Sequence, residues 1–365
     1  MPKKNCSVHF LPAGQGDCFV IQFQDEKFNY HNILIDGGNR TALDFKKQKK
    51  QLLKIIDSGN RGKFDLVIVT HSDDDHIKGI LNLIADEELE QYVEQYWFNS
   101  ERSIAKLLGH NYEHTQKYSV VKNNKGAVKS SRQQDNDLYS ILQLSPKWDE
   151  KVITDKTILD ISGLKITVLS PSLAKLEALN NYWPSQPLKK TGAVKSSGKE
   201  KCDYELSFSE LRRRLVHFEQ DASPVNGASI AILAEFSDFK WLFLSDSHPD
   251  VVVENLKKLN FSESNKVVVD ALKISHHGSK KNTNDSLLEM IDCQNFVISA
   301  NGNKKHYHPN KETLVRVLEH FDIEATSFHF VIKNSEIEKI FYKNPNIKTY
   351  YPKIKEEGIV FNYEC

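Results

Sequence analysis

His71, Asp73, Asp75 and His76, all able to ligate a metal, fall within six consecutive residues of this 365-residue chain, in the run LVIVTHSDDDH at 66–76. Leu66–Val69, ahead of them, is apolar and β-branched with no polar face, which reads as a strand buried on both sides. Residues 77–85 resume as a largely apolar helical stretch. A strand edge releasing imidazoles and carboxylates into a tight turn is how a rigid scaffold presents a metal site. Acidic residues in a first helical turn also favour the helix dipole, so Asp73–Asp75 alone would fit a solvated helix start. The two flanking histidines turn the reading towards a metal.

The same grammar, an apolar strand with His or Asp at its C-terminal lip, recurs along the chain. Strands are expected at 7–11 and 18–23, joined by Pro12-Ala13-Gly14-Gln15-Gly16-Asp17, and at 32–35, ending in Asp36-Gly37-Gly38. The paired glycines permit a close backbone approach and equally suit a simple tight turn. A hairpin is expected over 229–235 and 240–244, followed by Ser245-Asp246-Ser247-His248, then a helix over 250–259. A strand over 267–274 ends in Ser275-His276-His277-Gly278-Ser279, and another over 295–300 precedes a polar run closing on His306-Tyr307-His308-Pro309. If these strands share one sheet or two facing ones, their lips can converge.

The elements between are less informative. Residues 40–58 read as a charged amphipathic helix whose lysines form a solvated face. Helical material is expected to about residue 107, a polar excursion over 110–134, a helix over 137–143, and short strands over 151–169. Residues 172–225, rich in Lys, Ser, Pro and Arg, read as an insertion without a core of its own, apart from a helix near 207–217. The hexapeptide GAVKSS occurs at 126–131 and 192–197, a match short enough for chance, or a pair of similar loops on one ligand. After His308 the chain reads as short strands and polar turns. The main domain is expected over 1–345, with 346–365 an extension packing on it.

Composition narrows the function classes. Lys plus Arg and Asp plus Glu are both 49, so no global charge attracts nucleic acid, and such a partner needs a local patch. No run reaches membrane-spanning length, and the N-terminus lacks the apolar core of a secretory signal. The five cysteines are scattered and form no CxxC pair, which argues against a disulfide framework or a thiolate zinc site. A cytoplasmic protein without membrane partners is expected.

The HxDxDH run at 71–76 resembles the second motif of the metallo-β-lactamase superfamily, usually HxHxDH. GQGD (14–17), ILIDGG (33–38), LSD (244–246), SHHGS (275–279) and HP (308–309) follow in the order of its ComEC-like branch, whose standalone relatives occur in anti-phage systems. The resemblance implies an α/β, four-layer αββα sandwich with a polar insertion at about 172–225. It implies His71 and Asp73 on a first metal, Asp75 and His76 on a second, and Asp246 bridging. His276 would be the further ligand of the second metal, with His277 in support. Asp36 would orient the ligand turn. Asn226 occupies a polar NxxS element, and Ser170 stands where a third-motif histidine often lies, leaving the first metal with few protein ligands. His308 would stabilise a leaving group or phosphate oxygen, and Asp75 and Lys78 complete the expected catalytic set; a solvated Lys78 is the competing reading.

Two divalent ions would hold a bridging hydroxide and clamp a phosphodiester. Asp73 in place of a histidine hardens the first site, favouring Mn²⁺, with Zn²⁺ or Mg²⁺ as alternatives. Lysines at 280, 281, 304 and 305, and the lysines and arginines of the insertion with Tyr182, Trp183 and Tyr204, suit a nucleic-acid backbone or simply a solvated loop. The expectation is a phosphodiesterase or nuclease acting on nucleic acid or a nucleotide, with a protein partner in a defence system. An ester or lactone hydrolase and a degenerate scaffold are the alternatives.

Overall fold

The computed structural model describes residues 3–38, 42–58, 62–110, 130–185, 202–303, 306–344 and 346–365. One sheet holds β1 (Asn5–Phe10), β2 (Phe19–Gln24), β3 (Tyr30–Ile35), β4 (Phe64–Val69) and β5 (Tyr96–Phe98). The second holds β6 (Ile158–Ile161), β7 (Leu164–Ser170), β8 (Ala231–Phe236), β9 (Phe239–Phe243), β11 (Ala271–Lys273), β13 (Asn295–Ile298), β14 (Ser327–Phe330) and β15 (Lys348–Tyr350). β10 (Val267–Val269) and β12 (Ile291–Cys293) form a separate parallel pair, and β16 (Ile359–Glu364) lies on the free edge of β1.

The strand orders are β16-β1-β2-β3-β4-β5 and β15-β14-β13-β11-β9-β8-β7-β6. Each sheet is antiparallel at one side and parallel at the other, so β3, β4, β9, β11 and β13 send out C-terminal ends that carry the expected clusters. Crevices outside the carboxyl ends of parallel strands are where ligands bind.

Alternation decides which face goes where. Phe10, Phe19, Ile21 and Ile68 of the first sheet meet Ile232, Trp241 and Phe243 of the second in one buried cluster. The opposite face of the first sheet, with Val67 and Val69, packs on the helices Ala42–Ser58, Asp74–Ile84 and Ser131–Leu142. The opposite face of the second packs on helices Pro249–Lys258 and Lys311–His320. The layers are helix, sheet, sheet, helix, as expected.

Several local expectations are corrected. The strand over 267–274 is broken at Asp270, whose N–H donates to Lys240 O while its carboxylate accepts from Lys240 N–H, so only Ala271–Lys273 enters the large sheet. Tyr96–Phe98 is a strand, not helical material. The helix expected at 137–143 starts at Ser131, capped by Ser130. Lys311–His320 is a helix burying Leu314, Val315 and Val317, where strands and turns were expected. Within 172–225 a helix, Leu173–Tyr182, and the turn after it pack Leu176, Leu179 and Trp183 with Val225 against Ile104 and Ala228, so the segment shares a small cluster with residues outside it. Residues 346–365 supply an edge strand to each sheet. The second GAVKSS and the lysines at 189, 190, 195, 199, 201, 304 and 305 lie outside the described residues.

Candidate metal centre

The ligand turn is pinned from below by Asp36, which sits at the lip of β3 with φ at 57°. Its carboxylate accepts from Thr70 N–H (2.8 Å), from Thr70 Oγ1 (2.7 Å) and from His76 Nδ1 (2.7 Å). The turn also packs on backbone: a Cβ on Gly79 would lie 1.8 Å from Gly37 O, and one on Gly16 would lie 1.6 Å from Asp75 O. Side chains are excluded at both places, so Gly-rich loops and the first turn of the Asp74 helix can touch.

Four imidazoles share one arrangement, with Nδ1 held and Nε2 aimed at Asp246. His71 Nδ1 engages Thr70 Oγ1 (3.0 Å) and Ser229 Oγ (3.2 Å), and His277 Nδ1 donates to Ser299 O (2.9 Å). His276 Nδ1 engages Asn282 Oδ1 (3.0 Å). Asp246 Oδ1 lies 3.4 Å from His76 Nε2 and 3.7 Å from His277 Nε2. Asp246 Oδ2 lies 3.8 Å from His71 Nε2 and 3.6 Å from His276 Nε2. Asp75 Oδ2 is 3.4 Å from His277 Nε2, and Asp73 Oδ2 is 3.9 Å from His71 Nε2.

Ligand atoms about 2.0–2.1 Å from a tetrahedral ion stand about 3.3–3.5 Å apart, close to these spacings. The buried Nε2 atoms of His71, His76 and His277, with Asp246 Oδ1, have no hydrogen-bond partner. Orphaned buried polar atoms demand an explanation, and a metal ion supplies one. Asp17, His76, Asp246 and His277 offer ligand atoms within 4.8 Å of one another, so this cluster can hold a metal ion.

The electrostatics of the bare protein reflect crowding. Burial lowers the His71 imidazole to about 4, with His76 adding to the effect. Burial opposes charge on His277, yet Asp246 and Asp17 outweigh it and lift that imidazole to about 9. Burial, then the neighbouring Asp75, raises Asp73 to about 6. Asp17 stays ionised against its burial because the fully buried Lys273 ammonium pairs with it; Lys273 also donates to Ser245 O (3.1 Å).

The structure brings together His71, Asp73, Asp75, His76, Asp246, His276 and His277, with Asp36 behind them. His308 lines the same cleft, its ring centroid 5.1 Å from that of His276, with a buried Nδ1 that has no partner. Asn226 Nδ2 donates to Asp221 Oδ2 (2.6 Å) beside His276. One expected residue stands apart: Lys78 is half-exposed, 3.7 Å from Asp74, and does not line the cleft. Ser170 is buried at the end of β7, and its hydroxyl has no hydrogen-bond partner. Trp183 and Tyr204 are buried in hydrophobic clusters and offer no stacking surface.

Sequence reasoning missed Asp17 as a site residue, although it is the one charge in a glycine turn between two buried strands. It missed Asp221 and Asn282 entirely, since both sit in polar stretches that carry no pattern.

Two facing sheets, outer helices and these ligands in chain order on one rim decide the fold. The chain has the metallo-β-lactamase fold. No protein-family model matches the sequence. A curated relative, ComE operon protein 3 of Bacillus subtilis (strain 168), is 24% identical over 100 residues, 27% of this chain and 12% of that protein. The match thus spans about an eighth of that relative's length. Among solved structures, the metallo-β-lactamase fold protein YhfI of Bacillus subtilis aligns over 99% of this chain and 100% of its own, with 10% identity and a TM-score of 0.42. Zn²⁺-bound PqqB of Methylobacterium extorquens aligns over 97% and 99%, with 10% identity and a TM-score of 0.42. No helix among the described residues is long and apolar enough to cross a membrane.

Proposed function

We propose that this chain is a metal-dependent phosphodiesterase or nuclease that binds two divalent ions across Asp246. The observation that carries it is the split environment of that carboxylate: one oxygen faces His76 and His277, the other His71 and His276. Asp75 joins the first pair and Asp73 the second. In this reading His277, placed by its contact with Asp75, ligates the second ion, where His276 had been expected.

Two divalent ions there would polarise a phosphoryl oxygen and supply a water nucleophile at neutral pH. Asp73, Asp75 and Asp246 would offset three of the four positive charges and a bound hydroxide the fourth, so the cluster would be neutral without further compensation. Gln15, Asn301 and Asn303 line the open, roughly 330 Å³ cleft and offer neutral hydrogen bonds to the rest of the substrate. His308 is driven well below the usual imidazole range by burial and by the neighbouring His276, so it acts as a neutral hydrogen-bond donor to a phosphate or leaving-group oxygen. The donor sets, all imidazole and carboxylate, suit Mn²⁺ and Zn²⁺ and also accept Mg²⁺. The resemblance to standalone ComEC-like proteins supports a cytoplasmic anti-phage role with a protein partner.

The test is cleavage of DNA, RNA and nucleotide diesters by protein loaded with each metal, beside Asp75→Ala. Cleavage abolished by the substitution is expected. Inactivity on every diester with metal occupancy confirmed would overturn the reading.

A further inference from the structure

Ser170 stands where the resemblance places a third-motif histidine for the first metal, and a serine there supplies no imidazole. We infer that His276 supplies the missing imidazole, completing the site of His71 and Asp73, and that Asp221 and Asn282 are the positioning residues behind it. The inference rests on the two-ion reading of Asp246 and deepens it.

Three observations carry it. First, His276 Nε2 approaches Asp246 Oδ2, the oxygen that faces His71, while His277 Nε2 approaches Oδ1, the oxygen that faces His76. Adjacent histidines therefore serve opposite sides of one carboxylate. Second, His276 and His277 both adopt left-handed backbone angles, with φ at 46° and 55°. Consecutive non-glycine residues are disfavoured in that region and persist there only where the surroundings enforce it. The result is two rings 5.8 Å apart, inclined at 73°, both facing the cleft.

Third, His276 has the support typical of a ligand. Its Nδ1 donates to Asn282 Oδ1 (3.0 Å), and Asn282 Nδ2 donates in turn to Asp221 Oδ2 (3.2 Å). Asn226 donates to that same oxygen, and Asp221 Oδ1 accepts from Ser223 N–H (2.9 Å). A carboxylate anchoring the acceptor fixes the tautomer, leaving the Nε2 lone pair for a metal. Each ion then has two imidazoles and two carboxylates, a balanced pair rather than one strong and one weak site. Asp221 lies in the 172–225 segment, so that segment is part of the metal centre.

The experiment is metal stoichiometry, by elemental analysis and by the visible spectrum of Co²⁺, on wild type, His276→Gln, His276→Ala, His277→Ala and Asp221→Asn. Circular dichroism checks that each variant folds. Wild type should bind two equivalents with comparable affinity. Both His276 variants should keep one tight equivalent and lose the other or weaken it at least tenfold, with half of the Co²⁺ spectrum retained. His277→Ala should lose the complementary half, and Asp221→Asn should weaken the same equivalent as His276→Gln by about tenfold. A folded His276→Gln with two equivalents at wild-type affinity would overturn the inference. Fewer than two equivalents in wild type would overturn the two-ion reading along with it. Two equivalents that cleave no diester would overturn only the phosphodiesterase reading.

Discussion

Asp36 Oδ2 and His76 Nδ1 lie 2.7 Å apart with no exposed surface on either side chain, and the same carboxylate holds both the N–H and the hydroxyl of Thr70. One carboxylate therefore sets the orientation of a ligand ring and the exit of the chain from β4. Such supporting contacts typically govern metal affinity by 10- to 100-fold. Asp36→Ala should weaken one metal equivalent by about that factor, read by titration calorimetry on metal-free protein.

Among the described residues, Asp246 is the side chain that faces all four imidazoles. Asp246→Ala should therefore lose both equivalents together and with them all cleavage. Retention of one tight equivalent would show that the two sites do not share it.

The contact of Gly79 with Gly37 predicts a stability effect without any change of charge. An added methyl 1.8 Å from a carbonyl oxygen forces the Asp74 helix off the β3 lip. Gly79→Ala should cost about 3 kcal/mol, as overpacking of a tight contact does, and lower the melting temperature by several degrees. It should weaken metal binding too, because the displaced helix carries Asp75 and His76.

Stability should carry a pH signature from Asp135. This buried carboxylate accepts from Ser72 Oγ (2.8 Å) and Glu101 N–H (3.0 Å), and burial, followed by the Glu101 charge, raises it to about 7. A carboxylate raised in the folded state adds stability that is fully present below its unfolded value near 4 and is lost as pH rises through 7. Asp135→Asn removes that ionisation. The melting temperature of the variant relative to wild type should thus climb between pH 5 and 8; a constant difference would show that Asp135 is not raised.

Much of the site was legible in the chain because its chemistry is local. The run at 66–76 couples a two-face-buried strand to ligands at fixed spacing, and repetition of that grammar at 36, 246 and 276–277 marked the rim. The hairpin at 231–243 and the helix after Asp246 were legible for the same reason: hydrophobic periodicity is set by neighbours in sequence. Elements placed by distant contacts were not. The break at Asp270 depends on a partner at Lys240, the helix Leu173–Tyr182 on a small core shared with Ile104, and β16 on the free edge of β1.

The sequence by itself determined which groups can bind metal, that they are imidazoles and carboxylates rather than thiolates, and that each ends a strand. Only the tertiary structure decided how they divide. His276 and His277 are indistinguishable as neighbours in a motif, and it is the left-handed turn between β11 and the following loop that sends one ring to each oxygen of Asp246. Asp17 and Asp221 became part of the centre only through folding, because they are brought there by the facing of two sheets and by a segment far away in sequence. Ligand type is a property of residues; ligand assignment is a property of distances, and distances here are set by long-range packing.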